Sequence, residues 1–491
     1  MLFDFNEAWP RVAEAQYDFC VCGTGPAGIT TARKLAARGK TVLLLEAGGL
    51  SETEQSQEHY KTIDVGRKNW GLVFGRHRYF GGDSNCWSGL CNIFDSTAFE
   101  VHEYLGLPGW PISREQVLRG LDEAKEILDI PGADFRVSKQ PGFESPEFDH
   151  MSLAMSPPTR FGEKYADEIR QSQRIHAFYN ANLVDLRLND DLAGVKNFLI
   201  RNYNGKTTEA SATQYILAMG SIENARTLLN ANKQVPAGIG NHSEMVGRCF
   251  MESLGVQFGQ FLITDPNFWR MGYVPLVPTK ELMQRHDIGE GYLIYKPNVP
   301  ASELPNFGRL RVLKDFLRET GCLSPTVRDL ANEIVEFNCP GDGLIDLLVG
   351  QEPNPDSRVT LADDVDAFGL RLAKLNWQLC ERDFKTIRVL TIESAKEMAR
   401  LNLARVQLPQ YILNPNIEIP GIGVAAHQMG TTRMSSDPRY GVVDENCRVH
   451  GMKNLYIAGS SVFPTGGAFN PTFTIVALAL RLADYVKNEL T

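Results

Sequence analysis

No two of the nine cysteines form a CxxC pair. None of Cys20, Cys22, Cys86, Cys91, Cys249, Cys322, Cys339, Cys380 and Cys447 clusters at the spacing of a zinc or iron–sulfur site. The pattern predicts mostly buried free thiols in a reducing compartment. No apolar run approaches the roughly 20 residues that cross a bilayer, so a membrane span is not expected. The N-terminus, MLFDFNEAWPRVAEA, carries acids where a signal peptide carries basic residues, and it has no twin arginine. A cytoplasmic location is the expectation. Basic residues are in deficit: 50 Lys and Arg face 59 Asp and Glu, a net charge of −9. Nucleic acid and anionic membrane surfaces are therefore unsuited as partners.

What is present is ordinary in bulk and specific in places. The 491 residues suffice for two domains with sizeable cores, and 43% hydrophobic with 22% charged residues describes a globular chain. The clearest local signal runs from Tyr17 to Glu46. Tyr17–Cys22 reads as an apolar strand, Ile29 to Ala37 as a helix with small residues on one face, and Thr41–Leu45 as a second strand. Between the first strand and the helix lie Gly23, Gly25 and Gly28. In a dinucleotide-binding turn Gly23 permits the tight bend, Gly25 admits a pyrophosphate and Gly28 lets helix and strand pack closely. Glu46, 18 residues on, is placed to accept hydrogen bonds from a ribose. A lone GxGxxG is weak evidence; one in register with strand, helix, strand and acid is strong. On these residues alone the ligand is NAD or FAD.

Residues 75–92, GRHRYFGGDSNCWSGLCN, show neither helical nor strand period, and Gly81–Gly82 would let backbone lie against a flat ligand. SPPTRF at 156–161 is a proline-marked boundary. Ile175–Tyr179, Ala181–Leu188, Lys196–Arg201 and Tyr215–Ala218 then read as short strands, a meander returning to a parallel sheet. Ser357–Leu361 and Leu370–Leu379 read as a hairpin in a second sheet. Trp377, Phe337, Tyr292 and Tyr295 are candidate pocket walls, or ordinary core. Near the C-terminus, VAAHQMGTTRM carries His427. Strand Leu455–Ala458 then ends at Gly459, and a helix opens at Asn470, a residue with N-cap character, with Pro471 and Thr472 in its first turn. The free N–H groups of such a buried helix form an anion site.

EAGG at 46–49, GGDSNCW at 81–87, the HQMGT loop and the FNPT turn together resemble the glucose–methanol–choline (GMC) oxidoreductases. Within that family the similarity is to pyranose oxidase and bacterial sugar-oxidising relatives. The resemblance implies an α/β protein: a Rossmann-like FAD-binding domain from residues 1–100, 155–260 and 421–491. Residues 101–154 and 261–420 would form an antiparallel-sheet α+β substrate domain. It implies FAD rather than a nicotinamide, bound by Gly23, Gly25, Gly28, Glu46, Gly81, Gly82, Asn85, Cys86, Gly459, Pro471 and Thr472, with the backbone near Leu183–Val184 at the adenine.

Cys86 stands where covalently flavinylated members carry histidine, so the FAD is expected to be non-covalent. A cysteinyl link is the alternative to a thiol packed beside the dimethylbenzene ring. GSIENAR at 220–226 replaces a proline-containing pattern of many members. The resemblance assigns His427 as the base that removes the hydroxyl proton while hydride passes to flavin N5, and Asn470 as the holder of the alcohol oxygen. Without it, His427 would read equally as a structural loop histidine and Asn470 as a helix cap. The implied activity is oxidation of a sugar, glycoside or related secondary alcohol to a carbonyl; the alternative is a lyase that cleaves cyanohydrins without net redox. Oxygen, a quinone or a carrier protein is the expected electron acceptor, and oligomeric state stays open.

Overall fold

In the computed structural model, residues 1–94, 96–99, 106–135, 137–138, 142–269, 273–298 and 342–490 are described. Phe337, Cys322 and Cys339 lie outside them. Six parallel strands form the sheet that organises the site, in the spatial order Leu2–Asp4, Ile175–Tyr179, Val42–Leu45, Tyr17–Cys22, Ala212–Leu217 and Leu455–Ile457. The four strand residues Val42–Leu45 are fully buried, as expected for strands covered on both faces. Helix Pro26–Ala37 covers one face and packs against the C-terminal helix Thr472–Val486, which buries ten of its side chains. Both helices begin beside the C-terminal ends of parallel strands, where open α/β sheets bind ligands.

The meander between Tyr179 and Ala212 is a separate antiparallel sheet of Asn182–Leu188, Val195–Arg201 and Thr207–Ala210, and the chain then rejoins the parallel sheet at Ala212–Leu217. A larger antiparallel sheet is built around Ser253–Ile263, Asp342–Gly350, Gly291–Pro297 and Val274–Pro278. The expected hairpin is present as Arg358–Val365 and Arg371–Asn376, but it does not join that sheet. It pairs in parallel with Thr62–Asp64 instead, in a three-stranded sheet of its own. Sequence patterning sets a hairpin but not which free edge its outer strand meets.

Tyr292, Tyr295 and Trp377 prove to be core residues. Tyr295 donates from its hydroxyl to Ser394 Oγ at 2.9 Å, Trp377 donates from Nε1 to Gln351 Oε1 at 2.8 Å, and Tyr292 stacks on Phe469. Among the described residues Cys86 is the exposed thiol, Cys380 is half-buried, and Cys20, Cys22, Cys91, Cys249 and Cys447 are buried and unpaired. No helix of the described residues is long and apolar enough to cross a membrane, and no group of His, Cys, Asp and Glu among them could hold a metal ion.

Candidate active site and cofactor cradle

A cavity of about 500 Å³ runs from the Gly23–Gly25 turn to the His427 loop. Its near end is the dinucleotide turn. Helix Pro26–Ala37 opens with Gly25 as its cap and Pro26 in its first turn, so the first-turn N–H groups beyond the proline have no partner within the helix. The helix starts three residues before the periodicity suggests, because Pro26 and Ala27 already have helical geometry there. Glu46 is buried in the wall. Its Oε2 accepts from the Thr24 hydroxyl and from Thr24 N, and its Oε1 accepts from Gly48 N at 2.8 Å. A carboxylate has about four lone-pair sites, so these bonds aim Glu46 and leave it acceptor capacity.

Of the residues the sequence points to, Gly23, Gly25, Glu46, Gly82, Cys86, Gly459, Pro471 and Thr472 line the cavity together with His427, Asn470 and Leu183. Gly28, Gly81 and Asn85 stand behind the wall; the Asn85 amide donates to Phe80 O at 3.0 Å and braces the turn. The Cys86 thiol faces solvent and donates to Asp83 O at 3.3 Å. The cavity flank is stiffened by an ion-pair network: Arg76 to Glu223 at 2.7 Å, Arg226 to Glu223 at 3.2 Å and Arg226 to Asp366 at 2.7 Å.

The far end holds His427 and Asn470. Asn470 does not cap the helix, which begins at Thr472 with no side-chain cap. Its amide Nδ2 lies 3.2 Å from His427 Nε2 instead, so one of its two N–H groups is directed at the imidazole. An amide nitrogen can only donate, so Nε2 accepts, and the ring proton sits on Nδ1. Nδ1 then donates to Ser253 Oγ at 2.9 Å. Burial holds the imidazole down to about 4, so it is neutral at ordinary pH. A neutral ring with its lone pair on Nε2, facing a cavity, is equipped to take a proton. The start of helix Thr472–Val486 brings unpaired N–H groups and positive partial charge to the same end.

Ser253 carries no motif, and neither does its neighbour Glu252. Glu252 is fully buried; its Oε2 accepts from His427 N at 2.7 Å and its Oε1 from Asn69 Nδ2 at 3.3 Å. Ser253 opens a strand and Glu252 immediately precedes it, more than 170 residues before the histidine, a separation no local pattern reveals. Burial pushes the Glu252 carboxyl up to about 8 from the usual 4.5. A raised folded-state value means that its contribution to stability is fully present below pH 4.5 and is lost as pH rises through 8. Glu252→Gln, which stays neutral, should therefore gain on the wild type by on the order of a few kcal/mol between pH 5 and pH 8.5. Thermal unfolding at the two pH values measures it; a constant difference between the proteins would refute a buried neutral acid.

Residues 353–479 match the GMC oxidoreductase family. The 6'''-hydroxyparomomycin C oxidase of Streptomyces lividus is 25% identical over 98% of this chain and 93% of its own. The C-glycoside 3-oxidase of Microbacterium trichothecenolyticum is 34% identical over 30% of this chain and 27% of its own. Among solved structures, formate oxidase superposes with a TM-score of 0.58 at 16% identity, covering 97% of this chain and 98% of that one, a likeness of fold. The chain is similar to the GMC oxidoreductases, by the family match over residues 353–479 and by these relatives. It is an oxidoreductase acting on CH–OH donors, with FAD as cofactor. The cavity passes the structural test for that group. A Cβ built on Gly25 meets nothing within 4 Å, so the turn leaves a space that any side chain would fill. The helix N-terminus and Glu46 would hold phosphate and ribose at one end, and the second helix N-terminus lies at the other.

Proposed function

We propose that this chain is a GMC oxidoreductase that oxidises a hydroxyl group of a sugar, glycoside or related secondary alcohol to a carbonyl. The observation that carries the reading is the His427–Asn470 pair at the end of the cofactor cavity, both side chains lining it and Nε2 facing the Asn470 amide. His427 takes the hydroxyl proton, and Asn470 holds the oxygen so that the carbon-bound hydrogen is correctly aimed. FAD, when bound, supplies the hydride acceptor. The first turn of helix Thr472–Val486 favours negative charge at that end of the cavity. Gly23, Gly25, Glu46, Gly82, Cys86, Gly459, Pro471 and Thr472 hold the cofactor without a covalent bond, and Gly28, Gly81 and Asn85 keep their loops in place behind them. The relatives named as a 6'''-hydroxyparomomycin C oxidase and a C-glycoside 3-oxidase support a sugar-like substrate.

Residues 1–100, 155–260 and 421–491 form the FAD-binding part in this reading, since every strand of the parallel sheet comes from them. Residues 101–154 and 261–420 supply most of the large antiparallel sheet and would bear on the substrate. Free buried thiols accord with a cytoplasmic location. The test is anaerobic mixing of the yellow protein with sugars, glycosides, polyols and simple alcohols. Bleaching by sugars or glycosides is the expected result, and admission of air then reveals whether oxygen is the acceptor. Bound flavin that no alcohol bleaches would overturn the reading in favour of redox-neutral cleavage.

A further inference from the structure

The backbone immediately before the base is strained. Ala426 has φ +57°, a left-handed conformation that costs a non-glycine residue about 1 kcal/mol or more. Such a residue persists only where its surroundings hold it. Three contacts do so here. Ala425 N donates to Ser253 O at 3.1 Å, His427 N donates to Glu252 Oε2 at 2.7 Å, and His427 Nδ1 meets Ser253 Oγ at 2.9 Å. All three reach one dipeptide at the start of strand Ser253–Ile263. Glu252 is itself anchored: its main-chain N–H donates to Gln351 Oε1 at 3.0 Å, and Gln351 is fixed by Trp377 Nε1 at 2.8 Å. On the cavity side Gly75 makes room for the turn, since a Cβ there would lie 2.2 Å from that of Ala426.

We propose that Glu252 and Ser253 are positioning residues that mount the base at two points, Glu252 fixing the strained main chain at 426–427 and Ser253 fixing the ring and its tautomer. The inference rests on His427 being the base. Glu252 clamps the turn so that the ring enters the cavity at one angle, and Ser253 accepts the Nδ1 proton so that Nε2 keeps its lone pair. A serine hydroxyl could equally donate to Nδ1, which would put the ring proton on Nε2 and silence the base. In the orientation seen here, with Nδ2 toward the ring, Asn470 matches the Nδ1-protonated state; turned over, its Oδ1 would match the other. Ser253 and Asn470 thus bear on the tautomer from the two ends of the ring.

The experiment is nitrogen NMR of the FAD-loaded protein labelled at histidine, with the His427 signals identified by their loss in His427→Gln. The wild type should show a protonated Nδ1 and an unprotonated Nε2. Ser253→Ala should mix the tautomers and slow anaerobic flavin bleaching by roughly tenfold to a hundredfold, and Ser253→Thr should restore both. Glu252→Gln, whose amide oxygen can still accept from His427 N, should keep the tautomer and stay within a few-fold of the wild-type rate; Glu252→Ala should lose both. A wild-type ring protonated at Nε2, or a Ser253→Ala spectrum identical to the wild type, would overturn the mount. Wild-type bleaching in His427→Ala would overturn the base instead, and leaves the tautomer result to be read by itself.

Discussion

His427→Ala should leave a folded, yellow protein whose flavin is bleached by alcohol roughly 10²-fold or more slowly than in the wild type. The fold should survive because the ring makes only two side-chain hydrogen bonds, to Ser253 and Asn470, and borders a cavity rather than core. The main-chain bond to Glu252 does not involve the side chain and persists in alanine. What is lost is the acceptor for the hydroxyl proton. An alcohol is scarcely ionised at neutral pH, so without a base at that position hydride must depart unassisted by developing alkoxide charge. The wild-type rate should also hold steady down to mildly acid pH, because the imidazole protonates only near pH 4. Stopped-flow absorbance under nitrogen measures both effects, and an undiminished rate in the alanine variant would remove His427 from the chemistry.

A second large effect separates two glycines of one motif. Gly25→Val should give a folded protein that has lost FAD affinity by roughly 10- to 100-fold, as filling a well-fitted space costs about 1–3 kcal/mol. The position is a helix cap with φ −68°, which valine can adopt, and the new side chain would project into open cavity. Gly28→Val should not fold. Its Cβ would stand 1.9 Å from Gly23 O, and that carbonyl belongs to the turn on which helix Pro26–Ala37 rests. Absorbance at the flavin band relative to protein, together with circular dichroism, distinguishes an empty fold from no fold. Full flavin content in Gly25→Val would mean that the cofactor lies elsewhere.

The contrast shows how legibility divides. The strand, turn, helix, strand and acid of Tyr17–Glu46 act over 30 consecutive residues, so spacing alone displays them. The C-terminal site was half legible. His427 and Asn470 stand out through the company of their motifs, but the bond between them changes what Asn470 does: its amide turns to the imidazole, and the helix starts uncapped two residues later. Glu252, Ser253, Asn69 and Gln351 carried no signal at all. Each is an ordinary polar residue whose importance comes from a partner far away in sequence, and hydrophobic periodicity says nothing of such pairs. The hairpin at Arg358–Asn376 was visible for the opposite reason, its contacts being local, while its pairing with Thr62–Asp64 was not.

The strand order also has a consequence for biosynthesis. The central strand Ala212–Leu217 is flanked on one side by Tyr17–Cys22 and on the other by Leu455–Ile457. At ribosomal speeds of about 5–20 residues per second, the second neighbour emerges some 10–50 s after the first pairing is possible. During that interval the nascent chain carries a bare hydrophobic strand edge, a template for pairing with other chains. The Gly23–Gly28 turn is complete early, whereas the His427 loop and helix Thr472–Val486 follow long after it. Synthesis of the chain between Leu217 and Leu455 is therefore the period in which this protein is most open to aggregation, whatever the supply of its cofactor.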